Sequence, residues 1–467
     1  MVDKIKEGAL VSKVKDKFDA IVVGGGISGL LSTLALSKEG KKVLLLEKSS
    51  VLGGNCRTYD VDGFKVDTAV HAITHIDDGP VTRLMEKYFD YSPVFLPYGG
   101  YFVRDRNGFQ EFPWTAQAWV NFKVLPRMDR LSLFQTMASA LAIATFDKKS
   151  LDMSVYEYLK SYNFSDKTWR FIDTFSYFMS GLSMHETPAW RMLKGARYLD
   201  ENEAAQFGQK MKGHMNKFLK LVRFHGAYHQ GYPRRGIQSI TECAIHSFAE
   251  KKVEVHMDEE VKKLNLTDGR VSGVTTSKGS YKSDNVIHSG FVKDLPKLLG
   301  SGVLPKRFEE NLDNLKQSGS LTVWLGLKKP YKAFDYKGSE VWFEDGEPFW
   351  AMPTSNFDPY LAPQGKQLVG FSAFAAGDIE AKKKKLLETI HSVYPGLERL
   401  VELEHFQHIT PPEKAAISCG ATFPDQESPI KGLYLVGTDT DYRSMGVTRA
   451  AFSVEALLER LKKNKIV

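Results

Sequence analysis

Residues 18–47 constrain this chain more than any other stretch. Phe18-Asp19-Ala20-Ile21-Val22-Val23 is an apolar, β-branched run that ends in Gly24-Gly25-Gly26. A helical pattern follows through Ile27, Ser28, Gly29, Leu30, Leu31 and Leu34, and a second apolar run, Val43-Leu44-Leu45-Leu46, ends in Glu47. The order is strand, turn, helix, strand, with the glycines spaced G-x-G-x-x-G. Gly24 permits the tight turn, Gly26 lets backbone N–H groups approach a pyrophosphate, and Gly29 lets the helix lie close on the strand. The unpaired N–H groups and dipole of a helix N-terminus favour the negative charge placed there. Glu47, at the end of the second strand, is positioned to accept hydrogen bonds from both ribose hydroxyls and to repel a 2′-phosphate. The stretch reads as a site for a dinucleotide other than NADP.

A chain of 467 residues exceeds one ordinary core, so two or three domains are expected. With 42% hydrophobic and 25% charged residues, the composition is that of a folded protein. The net charge of +7 is mild for this length and does not suggest nucleic acid. It suits ordinary surface charge, an anionic cofactor or a membrane surface. Cys56, Cys243 and Cys419 are far apart and form no C-x-x-C, so neither a zinc site nor a disulfide framework is indicated and a reducing compartment fits. Residues 1–17 read as a short basic extension without the apolar core of a secretory signal. No run approaches the ~18–20 apolar residues that span a bilayer. The expected location is cytoplasmic, with peripheral membrane association as the open question. The segment that raises it is Met128–Phe146, an amphipathic helix candidate flanked by Arg127, Arg130, Lys148 and Lys149. It reads either as a core helix or as one that dips into a membrane interface. No H-E-x-x-H, Cys/His cluster or nucleophile elbow supports metal hydrolysis or serine-triad chemistry.

Further motifs follow in order. Gly53-Gly54-Asn55-Cys56-Arg57 comes just after Glu47 and Lys48, and its glycines let the backbone pass a flat or anionic group. Arg57 reads as either a phosphate contact or a solvated side chain. Gly63-Phe64-Lys65-Val66-Asp67-Thr68-Ala69-Val70-His71 is a short strand running into a loop. From about 91 to 225 aromatic residues crowd the chain, several at helical spacing (Phe171, Phe175, Phe178). Most read as a helical core and a minority as pocket lining. Tyr232-Pro233-Arg234-Arg235-Gly236 precedes another helix, and residues 240–290 alternate as strands around the Asp268-Gly269 turn. Strong strands at Ser320–Leu327, Val341–Phe343 and Leu368–Ser372, with a helix at Ile379–Tyr394, suggest a mixed sheet. Gly432-Leu433-Tyr434-Leu435-Val436-Gly437-Thr438-Asp439 and Met445-Gly446-Val447-Thr448-Arg449-Ala450 repeat the strand–glycine–helix texture of the opening unit.

These motifs, in this order, resemble the FAD-dependent amine oxidase, protoporphyrinogen oxidase and phytoene desaturase superfamily, most of all its phytoene desaturase and carotenoid isomerase branch. The resemblance implies an α/β fold: a discontinuous Rossmann-like, glutathione-reductase-like FAD-binding domain (residues 18–95, 226–300 and 411–467) and a mixed-sheet and helical substrate domain (96–225 and 301–410). It implies FAD contacts at Gly24, Gly26, Ile27, Ser28, Gly29, Glu47, Lys48, Gly53, Gly54, Asn55 and Arg57. Val261 would meet the adenine through its backbone, and Gly437, Thr438, Asp439, Gly446 and Val447 would close the site. His71 and Arg235 become the candidates nearest the flavin ring. Four places depart from the family pattern: Ala69 and Arg235 stand where glycines are usual, the closing acid comes one place late, at Asp439, and the last glycine is Arg449 or Ala450. Registration of the Lys328-Lys329-Pro330 end puts Thr322 where flavin amine oxidases carry a lysine, which argues against amine oxidation.

The implied activity is hydride exchange between flavin N5 and a C–C bond of a lipophilic polyene or isoprenoid, in desaturation, saturation or isomerisation. A separate electron acceptor or donor is implied, and the oligomeric state stays open. Alternatives are a UDP-galactopyranose mutase-like flavoenzyme, suggested by Gly53-Gly54-Asn55 with His71 and His75, or protoporphyrinogen or amine oxidation. Outside enzymes, a non-catalytic FAD-binding lipid carrier is the competing class.

Overall fold

The computed structural model describes residues 17–69, 72–113, 116–146, 152–196, 230–416 and 418–467. The opening strand, Ala20–Val23, lies at the centre of a five-stranded parallel sheet. Val43–Leu46 and then Val253–His256 lie on one side of it, Val286–His288 and then Leu433–Leu435 on the other. Both faces of this sheet are covered, which is why its strands read as unbroken apolar runs rather than alternating ones. Successive side chains still divide between the faces. Ala20, Val22, Val43 and Leu45 pack with the helices Ile27–Lys38 and Gly446–Lys463, while Ile21, Leu44 and Leu46 pack with Val271, Val274, Leu295 and Leu312.

The second large sheet has seven strands. Its order is Val401–Ala416, Lys316–Leu327, Gln367–Phe374, Phe349–Met352, Gly338–Trp342, Gly100–Asp105 and Gly108–Glu111. It is mixed: Gly338–Trp342 runs parallel to Gly100–Asp105 and the remaining pairs are antiparallel. Leu321, Val323, Leu325 and Leu327 point to one face, under the helix Ile379–Val393. Trp324 points to the other, against Phe64, Met352 and Leu368, so that face meets the hairpin Thr58–Val61/Phe64–Asp67. The helices Val155–Leu159 and Asp166–Ser180 close over the aromatic cluster of Phe122, Phe171 and Phe343. Ser154 and Ser165 cap these two helices through their hydroxyls, each satisfying an otherwise orphaned backbone N–H. The helix expected at 128–146 spans Arg127–Phe146, and among the described residues no helix is long and apolar enough to cross a membrane.

One buried acid makes the seven-stranded sheet sensitive to pH. Glu340 is fully buried and accepts from Arg104, 2.8 Å away, and from the Tyr394 hydroxyl. Burial, the largest influence, pushes its carboxyl from an ordinary 4.5 up to about 7 against the opposing pull of Arg104. The folded chain therefore holds this proton more tightly than the unfolded chain does. The stabilising contribution is whole below about pH 4.5 and is lost as the pH climbs through about 7. Relative to Glu340→Gln, wild-type stability in urea should fall by at least about 1.4 kcal/mol across that window. A pH-independent difference between the two proteins would contradict the assignment.

Candidate active site

The opening turn is built around close backbone approach. Gly24 sits at φ +106° and donates its N–H to Leu46 O at 2.8 Å. A Cβ on Gly29 would fall 1.9 Å from Gly24 O, so the helix can reach the strand only with glycine there. Gly26 is different. A Cβ on it would meet no protein atom within 4 Å, yet it forms the N-cap and offers the first helical N–H groups no side chain. The space in front of Ile27 and Ser28 suits an incoming acceptor of hydrogen bonds. Gly53 donates to Gly25 O at 2.8 Å, and a Cβ on Gly54 would come within 3.1 Å of Gly26 Cα, so the second glycine pair forms the other lip. Ser289, at the same turn, holds a buried hydroxyl with no partner.

Glu47 is already oriented. Its Oε2 accepts from Gly25 N at 2.6 Å and its Oε1 from Ser49 N at 2.8 Å, which leaves further lone pairs for ribose hydroxyls. Val261 begins the strand that follows Glu259, whose N–H donates to Glu47 O, so it lies beside the acid. Lys48 and Asn55 are exposed on the flanking loops. Arg57 is half-buried, and its Nε is buried without a partner. With Leu52, Thr241 and Met257 it lines a cavity of about 630 Å³. An open helix N-terminus, two glycine lips, an oriented carboxylate and an unpartnered guanidinium Nε fit the phosphates and ribose of a dinucleotide.

The closing loop forms the other wall. Gly437 N donates to Ser453 Oγ at 3.0 Å, and Thr438 contributes its carbonyl to Arg449 at 3.2 Å. Asp439 is buried, and its Oδ2 accepts from Val292 N at 2.7 Å. Burial raises its carboxyl to about 7, with that backbone bond opposing. The carboxylate thus spends its contact on the chain itself. Gly446, at φ +50°, is exposed and starts the helix Gly446–Lys463, with Val447 buried behind it. Thr448 joins Thr74 and Ser444 in a run of hydroxyls 2.9 Å apart.

The third wall is the inner face of the seven-stranded sheet. Thr322 pairs directly with Ser372 on one side and Gln407 on the other. Its hydroxyl meets Ser372 Oγ at 3.2 Å. Gln407 is the link to the cofactor side: its Nε2 donates to Asp67 O at 2.8 Å and its Oε1 accepts from Ala69 N at 2.9 Å. Among the described residues, the buried Ser320 hydroxyl has no partner. Aromatic rings complete the wall. Tyr177 packs on Phe374 with centroids 3.9 Å apart, and Phe178 on Trp350 at 5.4 Å. Sequence reasoning had placed Thr322 here but missed Gln407 and Ser372. The signal for Ser372 was a polar residue at an inward position of a strongly apolar strand, whereas Gln407 lies in a strand rich in polar residues and gave none.

His71 lies outside the described residues. Ala69 keeps the left-handed backbone, at φ +59°, of the glycine it replaces, and Arg235 does the same at φ +68°. Arg235, expected near the flavin ring, is placed at the surface. It is exposed, its N–H donates to Asp358 Oδ2 at 2.8 Å, and its guanidinium lies 4.8 Å from the Tyr360 ring. The reason is local: Gly236 must pack on Thr58 and Asp67, where a Cβ would come within 2.3 Å of the Thr58 hydroxyl, and this directs Arg235 outward. With Arg234 it lines a small surface pocket of about 380 Å³.

Comparison with known proteins completes the description. The family model described as flavin-containing amine oxidoreductase matches residues 27–453. An uncharacterised protein of Methanothermococcus thermolithotrophicus is 53% identical over 100 residues, 21% of this chain and 96% of its own length. Prolycopene isomerase of Daucus carota is 23% identical across 94% of this chain and 78% of its own. All-trans-retinol 13,14-reductase of Rattus norvegicus is 37% identical over 114 residues, which cover 23% of this chain and only 19% of the reductase. Among solved structures, an oxidoreductase from Methanosarcina mazei superposes with a TM-score of 0.75 at 21% identity, covering 94% of this chain and 99% of its own. This chain belongs to the flavin-containing amine oxidoreductase family, an oxidoreductase family whose cofactor is FAD.

Proposed function

We propose that the protein acts on a C–C bond of a lipophilic polyene or isoprenoid, by desaturation, saturation or isomerisation. The observation that carries this reading is the inner sheet wall. Its central row, Ser320, Thr322, Ser372 and Gln407, holds no side chain that gains or loses a proton near neutral pH, and aromatic rings flank it. The bound flavin supplies hydride exchange, chemistry the protein need only orient and keep dry. Gln407 holds the 67–69 loop against the sheet, while Tyr177, Phe374, Phe178 and Trp350 supply an apolar, water-excluding surface for a flat hydrocarbon. The similarity to proteins named for prolycopene and retinol supports the same substrate class. Thr322 at the strand centre, with no lysine in that row, weighs against amine oxidation.

Contact with a membrane surface fits a lipophilic substrate. At the elbow between the helices Ala116–Asn121 and Arg127–Phe146, Val120, Met128 and Leu131 are exposed beside Lys123 and Arg127. Apolar side chains ringed by basic ones suit an anionic lipid interface. The separate electron donor or acceptor is of a chemistry these residues do not name.

Three outcomes are expected. Under anaerobic conditions, oxidised or dithionite-reduced protein mixed with a detergent-solubilised carotenoid or retinoid should change the flavin's visible absorption as the polyene's conjugation changes, or should isomerise the polyene. Polyenes that remain unaltered with the flavin in either redox state would sink the reading. Glu47→Ala should weaken FAD retention by ~1.5–3 kcal/mol, about tenfold or more in dissociation constant; unchanged flavin content refutes the role given to Glu47. The double variant Met128→Ser, Leu131→Ser should lose sedimentation with anionic vesicles while keeping its FAD, and equal sedimentation of both proteins counts against the membrane contact.

A further inference from the structure

We infer that Arg191 is a positioning residue that sets the reduction potential of the bound flavin, acting through the turn that opens the closing helix. The inference rests on the flavoenzyme reading. Arg191 comes from the helix Ala189–Ala196, in the aromatic helical region, and is only 1% exposed. Its guanidinium donates to Tyr442 O at 3.0 Å, Ser444 O at 2.7 Å and Met179 O at 3.4 Å. Among the described residues, the guanidinium bonds to carbonyl oxygens alone. Arg449, 4% exposed, donates to the same Ser444 carbonyl from Nε at 3.1 Å and Nη2 at 2.9 Å. Two buried cations therefore share one oxygen and repel each other, and burial together with that repulsion makes Arg191 easier to deprotonate than usual. Asp441, held by Arg443 at 2.7 Å, and Asp439, turned to Val292 N, favour the charge of Arg449, whereas Arg191 is bonded to neither.

A buried charge facing dipoles alone is costly to keep, and its field is screened little. Ser444 is where that charge is put to use. It sits at φ +53°, two residues before Gly446, with its carbonyl in the guanidinium pair and its hydroxyl on Thr74. Thr74 in turn donates to Thr448 in the first turn of Gly446–Lys463. Arg191 thus fixes, from a different part of the fold, the helix N-terminus expected to face the electron-rich flavin. Fixed N–H groups backed by positive charge favour the reduced form over the oxidised one.

The test uses the full chain loaded with FAD, its potential read by equilibration with a reference dye. Arg191→Met should make reduction at least tenfold less favourable, a fall of about 30 mV for a two-electron couple. Arg191→Lys, which keeps the charge but loses the fork, should fall by less. An Arg191→Met protein with wild-type FAD content and an unchanged potential overturns the inference even if its melting temperature drops, because that result is purely structural. If Arg191→Met does not fold, Arg191→Lys and Ser444→Ala decide: both must lower the potential, and unchanged values overturn the inference. A wild-type protein that takes up no FAD would instead defeat the flavoenzyme reading itself.

Discussion

The buried carboxylate of Asp67 joins the parts of this molecule. Its Oδ1 accepts from the Thr58 hydroxyl at 2.6 Å and from Ile237 N at 3.1 Å, and its Oδ2 accepts from the Tyr232 hydroxyl at 2.6 Å. Its own backbone carbonyl takes the Gln407 amide at 2.8 Å. One residue thus binds the hairpin after the second glycine pair, the segment that returns from the helical region and the outermost long strand of the large sheet. Each of these bonds satisfies a buried polar group that would cost roughly 1–3 kcal/mol if left unpaired. The same contact explains local oddities nearby. Gly236 must be glycine because any Cβ would strike Thr58 and Asp67, and Arg235 is consequently turned out to solvent.

From this hub the site takes its shape. The loop leaving Asp67 passes Thr68 and reaches Ala69, which holds a left-handed backbone at φ +59°. That conformation costs a residue with a Cβ about 1–2 kcal/mol. Gln407 offsets the strain by taking the Ala69 N–H, so the loop is fixed against Thr322 and Ser372 rather than left to fray. The dinucleotide cradle and the polar row of the sheet then stand on either side of the 67–69 segment that Gln407 holds. The proposed function rests on this juxtaposition, which would put phosphates and ribose on one side and the proposed flat apolar substrate on the other.

The cofactor half was legible in the sequence because its chemistry is local. Gly24, Gly26, Gly29 and Glu47 lie within one strand–helix–strand unit, and some are demanded by short-range contacts, such as the 1.9 Å approach of a Gly29 Cβ to Gly24 O, whereas Gly26 instead leaves open space before the helix. The family resemblance extended that reading to the closing loop and to the fold class. The substrate half was much less legible. Gln407 meets Asp67 and Ala69 across more than 330 residues of chain, and no spacing rule links them. Arg191 belongs to no motif, and only the fold brings it to Ser444, 253 positions away. Arg235, a basic residue in place of a glycine, is turned to solvent by the packing of Gly236, which no local pattern shows. Asp439 was recognised as the closing acid, but its bond to Val292 N could not be read from sequence.

The account claims above all that FAD bound on the opening unit is felt at the Asp67–Ala69 loop and the sheet behind it. Hydrogen–deuterium exchange with and without FAD measures this directly. The account predicts slowed exchange at 24–29, 53–57 and 437–448 and, in the same titration, at 67–69 and 405–408. Protection confined to the opening glycines, with 67–69 and 405–408 exchanging as in the FAD-free protein, would contradict it.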